Sequence, residues 1–163
     1  MTEARQDAAS CCGDRHRSAL PFLVIGIAAI LAGGLIAAAV AHAPSRNMVW
    51  MVAYLVLVVG LAQAAFGAGQ AALATKRVPL LMVIIELLLF NVGNAGVIAG
   101  TLAGTFMPVI VGTILLLLGL GLFYYRSRGD GRERLRYGYQ ALLALIAIGA
   151  LVGLTLSALS NFG

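Results

Sequence analysis

Charge is what this sequence has least of. Only 10% of its 163 residues are Asp, Glu, Lys or Arg, whereas a soluble domain carries about 25%. A water-soluble fold of this length needs charge to cover its surface. Here 61% of the residues are apolar and the mean hydropathy is +0.99, so lipid is expected to be much of the solvent. Histidine and cysteine are scarce as well, at two each. His42 is the one histidine near an apolar run, which argues against a haem held between two axial ligands, and no cofactor is expected. There is no G-x-S-x-G, no Walker loop, no H-E-x-x-H and no pair of deep carboxylates, so the common catalytic constellations are absent and an enzyme is not expected. No period of 20–50 residues repeats, which argues against a solenoid.

Apolar runs of bilayer length fill most of the chain. A helix needs about 20 mainly apolar residues to cross a hydrocarbon core of roughly 30 Å. Five segments meet that requirement: 21–43, 49–74, 78–102, 106–125 and 139–159. The prolines respect the division, because Pro21, Pro79 and Pro108 fall in first turns and Pro44 just past an end, where a missing N–H costs little. The expected fold class is all-α, a polytopic integral membrane helical bundle of five transmembrane helices. Residues 1–19 are expected to form a disordered cytoplasmic tail and 20–163 a single membrane domain.

The few charges are unevenly placed. With five spans, Arg5, Arg15 and Arg17, then Lys76 and Arg77, then Arg126, Arg128, Arg132, Arg134 and Arg136 share one side, and Arg46 alone lies on the other. Basic loops stay cytoplasmic, so the expected orientation is N-in/C-out in a cytoplasmic (inner) membrane of bacterial type. The net charge of +5 is then explained by topology and anionic lipid, with no nucleic-acid partner. A cleaved signal peptide is the competing reading of span one, given Ala41-His42-Ala43, but its apolar stretch of about 23 residues exceeds the ~7–15 of a signal core.

Lipid tails are as apolar as leucine, so close backbone contact and interhelical hydrogen bonds must hold such a bundle together. Glycine supplies 20 positions. Gly93, Gly96, Gly100 and Gly104 form an expected packing ridge on span three, with a shorter one at Gly149 and Gly153 on span five and Gly26 and Gly33 a heptad apart on span one. Span four, apolar from Ile114 through Leu118, is expected to face lipid broadly. Such ridges suit a compact bundle, a homo-oligomer or a place in a larger membrane complex.

Glu86 is the one ionisable residue deep in a span, roughly 12 Å from the basic border at 1.5 Å per residue, and such a group is by default a functional hypothesis. Asn91 and Asn94 share an arc of about 140° with it. Gln63 and Gln70, a heptad apart on span two, bracket its depth, so these five residues are expected to form one intramembrane network. With no lysine or arginine inside a span, the expected state of Glu86 is a neutral acid hydrogen-bonded to a glutamine. In the tail, Cys11, Cys12 and His16 offer soft-metal ligands or, for the cysteines, acylation sites.

The expected function is that of a non-catalytic accessory or assembly subunit. The alternative is a small transporter or channel subunit, proton- or cation-linked through the Glu/Gln/Asn network. An integral membrane enzyme acting on lipid ranks third.

Overall fold

The computed structural model describes residues 2–73, 79–128 and 133–162, with side chains described for residues 19–159 outside the two gaps. Five helices carry the chain: α1 (Thr2–Val40), α2 (Arg46–Leu73), α3 (Leu80–Ala103), α4 (Phe106–Arg126) and α5 (Glu133–Phe162). Each contains a stretch long and apolar enough to cross a membrane, and the borders of these stretches lie within a few residues of those read from hydropathy, apart from the start of the one in α5. Helical backbone runs back to Thr2, through the stretch read as a disordered tail. Cys11, Cys12 and His16 lie outside the described side chains.

Local chemistry explains the ends. Ser45 caps α2 by accepting the Met48 amide at 3.3 Å, which satisfies one of the orphan donors of a first turn. Gly104 ends α3 with a φ of 63°, a left-handed conformation that glycine adopts without a Cβ penalty. A methyl group there would meet nothing within 4 Å. Gly104 therefore terminates the helix and does not extend the packing ridge, contrary to the expectation from its spacing.

Two helix pairs are seamed by glycine. A methyl group on Gly26 of α1 would lie 2.7 Å from the Gly60 carbonyl oxygen of α2. One on Gly93 of α3 would lie 2.7 Å from the Leu116 amide nitrogen of α4, and one on Gly112 of α4 would lie 2.6 Å from the Gly93 oxygen. Backbones this close maximise van der Waals contact between the helices. Gly96 and Gly100 join the α3–α4 seam. The partner glycines make α4 the most buried span, with Val109, Thr113, Leu116, Leu120 and Phe123 inward. The expectation that span four faces lipid broadly is thus corrected. The broadly exposed helix is α5, which packs on α4 and, through Tyr139, on the Gly69 end of α2 while exposing Leu145, Ile148, Leu151, Val152 and Leu156. Open space lies beside Gly149 and Gly153, so this pair forms no helix contact.

Each helix sends one ring into a common core. Phe22, Phe66, Phe90, Phe123 and Tyr139 meet with centroid separations from 5.1 to 6.2 Å. Most of these contacts are edge-to-face, a geometry that contributes about 0.5–1.5 kcal/mol per pair beyond area burial. Between Tyr54 and Gln63, α2 widens into a π-helix over Leu55–Ala62. Such segments are rare and frequent at functional sites. This one separates the two polar residues of α2 that flank it.

Candidate functional site

The site is built where α2, α3 and α4 converge, one turn from the aromatic core. Glu86 lies four residues before Phe90, Gln70 four after Phe66, and Arg126 three after Phe123. Helical spacings of three and four stack side chains on one face, so the three polar groups emerge together on the basic side of the rings. Glu86 sits about 9 Å along α3 from Leu80 at 1.5 Å per residue and is fully buried. Its Oε2 accepts the Arg126 Nη1 donor at 2.6 Å and the Gln70 Nε2 donor at 2.8 Å.

This arrangement corrects the expectation of a neutral acid held by glutamine alone. Arg126 is the last residue of α4 and its side chain is only 20% exposed. A long arginine stem can run back along a helix end while its head chooses its surroundings, so a cation outside the apolar run reaches a carboxylate inside one. The charges meet as an ion pair, with Gln70 adding a neutral bond. Sequence reasoning missed Arg126 by counting it as loop. The readable signal was its level: α4 ends where α3 begins, so its final arginine and an acid two turns into α3 lie at similar depth.

The five residues expected in one network fall into separate groups. Only Gln70 and Glu86 are bonded to each other. Asn91 turns back to donate to the Leu87 carbonyl of its own helix at 2.8 Å. Asn94 donates to the Phe90 carbonyl at 2.7 Å and accepts the Tyr54 hydroxyl at 2.7 Å, which ties α3 to α2 on the far side of the rings. Gln63 is fully buried, and neither atom of its amide has a hydrogen-bond partner among the described residues. A one-heptad shift along α2 carries it about 10 Å from Gln70, past the aromatic layer, so a single network was out of reach.

Several further polar atoms near the ion pair are buried without partners among the described residues: Glu86 Oε1, Gln70 Oε1 and the Tyr139 hydroxyl. Tyr139 lies within electrostatic reach of both Glu86 and Arg126, and it packs against Gly69. A buried polar atom left unbonded costs about 1–3 kcal/mol, so their concentration around one carboxylate marks a site with unused hydrogen-bonding capacity. Beside it, Gln140 donates to the Ser127 hydroxyl at 3.2 Å, joining α5 to the end of α4.

Among the described residues no three His, Cys, Asp or Glu side chains gather as a metal site. The opposite end of the bundle holds a cavity of about 390 Å³ between α2, α3, α4 and α5, with Arg46 at its rim. The molecule is thus polar at two levels, with an aromatic layer between. No family model, curated protein or solved structure matches the chain.

Proposed function

We propose that this chain is a small multi-pass membrane protein of transporter or channel type, linked to protons or cations through Glu86. One observation carries the reading: a fully buried carboxylate at the junction of three helices, ion-paired to Arg126 and bonded to Gln70, with its second oxygen unpartnered among the described residues. An intramembrane charge is costly and marks a pathway or a relay more often than a structural post. The architecture supports this. The α1–α2 and α3–α4 pairs are each tight along glycine seams, whereas rings and two side-chain bonds, Gln70–Glu86 and Tyr54–Asn94, join one pair to the other. Rocking of one helix group against another around a polar site is how many transporters alternate access. In the same reading the basic end faces the cytoplasm of a bacterial-type inner membrane, N-in and C-out. A reporter fused after Gly163 is then active on the outer side only, and activity on the inner side reverses the orientation.

The accessory-subunit reading stands second, favoured by the almost wholly exposed span of α5. Purified protein reconstituted into vesicles containing a pH dye, with imposed proton, sodium or potassium gradients, separates the two. Transport predicts a flux that Glu86→Gln abolishes while the yield of folded protein is kept. Absence of flux from the parent, with Glu86→Gln losing folded protein, leaves the accessory role.

A further inference from the structure

We infer that the cavity at the Arg46 end is a binding site for an anionic amphiphile of the bilayer, with the head group at Arg46 and one acyl chain in the crevice. Its volume of about 390 Å³ falls within the roughly 300–1,000 Å³ of ligand pockets. Its lining is graded. Arg46, Asn47 and Thr105 stand toward the loops, while Val97, Val109 and Leu154 lie further along the helices. Trp50 stacks on Tyr54 at 5.1 Å along one wall, a pairing suited to the boundary between head groups and hydrocarbon.

Two features make this a site with a preferred occupant. The first is charge. Arg46 is the only charged residue in the sequence at this end of the bundle, since the stretches 41–45, 104–105 and 160–163 hold none. Among the described residues no Asp or Glu side chain is at hand to satisfy it. The second is space kept open by sequence. Gly149 and Gly153 lie on one face of α5 and line the cavity, and a methyl group on either would meet nothing within 4 Å. These glycines leave room in place of making a helix contact. The wall they form belongs to the helix that exposes Leu151, Val152 and Leu156, so the crevice is bordered by the same apolar surface that faces lipid. A soluble anion would use the rim alone, whereas a lipid anion uses rim and floor together. This inference stands apart from the role of Glu86.

Trp50 is the only tryptophan in the chain, so its fluorescence reports the cavity directly. The purified full chain in a nonionic maltoside micelle is titrated with a fatty acid brominated in mid-chain, which quenches an indole it touches. The expected result is saturable quenching that Arg46→Gln weakens about tenfold, the equivalent of one charge-assisted hydrogen bond. Gly153→Leu, whose side chain enters the open space, removes the saturable phase while the elution profile stays that of the parent. Should that variant not elute as the parent does, Gly149→Leu gives the same readout. The same brominated chain with an uncharged head group binds at least tenfold more weakly. Quenching that rises linearly without saturating, or that is unchanged in both filled-cavity variants, overturns the proposal. So does displacement of the probe by millimolar inorganic phosphate, which would make the rim a site for soluble anions.

Discussion

Replacing Arg126 by glutamine removes the one cation among the described residues that reaches Glu86, and the structure specifies what should follow. The carboxylate is fully buried and the guanidinium is 20% exposed, so solvent screens the pair little. Removing one member of such a pair costs about 3–5 kcal/mol, because the survivor is left as an uncompensated buried charge. One circumstance reduces that here: Gln70 still donates to Glu86 at 2.8 Å. We therefore expect Arg126→Gln to cost about 2–3 kcal/mol. Glu86→Gln should cost less, since the partly exposed Arg126 can turn toward water. The double variant removes both charges together and should be less destabilised than the sum of the singles by about 1–3 kcal/mol, the upper part of the range for residues in contact. Thermal unfolding followed by size-exclusion chromatography in one detergent gives all four midpoints. Taking about 2–4 °C per kcal/mol for a chain of this size, the non-additive part amounts to several degrees. If the two single effects add within about 0.5 kcal/mol, the side chains are not partners and the site as described is refuted.

Glycines should divide by what lies beside them. Gly93→Ala or Gly112→Ala, where a methyl group would come within 3 Å of the facing backbone, should force α3 and α4 apart and lower the melting midpoint by several degrees, whereas Gly149→Ala and Gly153→Ala should leave it unchanged or raised; the same midpoint with all four refutes the seam. Phe66→Ala loses contacts with Phe90, Phe123 and Tyr139, and at about 0.5–1.5 kcal/mol each should cost roughly 1.5–4.5 kcal/mol by the same assay. A cost below about 0.5 kcal/mol would mean that the ring layer does not hold the helices together.

The site was less legible in the sequence than the spans, and the reasons differ by residue. Glu86 declared itself, because an isolated acid in an apolar run is anomalous whatever surrounds it. Its partner did not, because Arg126 reads as one of five loop arginines until helix ends are placed at the same depth. Gln63 and Gln70 look equivalent on a helical wheel. Only the position of the aromatic layer separates them, and that layer is assembled from rings far apart in sequence. Gly149 and Gly153 carry the same spacing as the packing glycines of α3, yet space and contact are indistinguishable without the neighbouring helix.

What the chain by itself determined is therefore what depends on one helix at a time: five helical elements of membrane-crossing length, their approximate borders, and the costly polar residues within them. These follow from run length, hydropathy and proline placement, all of them local. The tertiary structure decided which glycines touch, that α4 and not α5 lies at the centre, that Arg126 neutralises Glu86, and that a cavity opens beneath Arg46. Nearly every face of these helices is apolar, so hydrophobicity does not tell one face from another. Pairing is settled by close contact and by side-chain reach between helices, and neither quantity exists until the helices are packed.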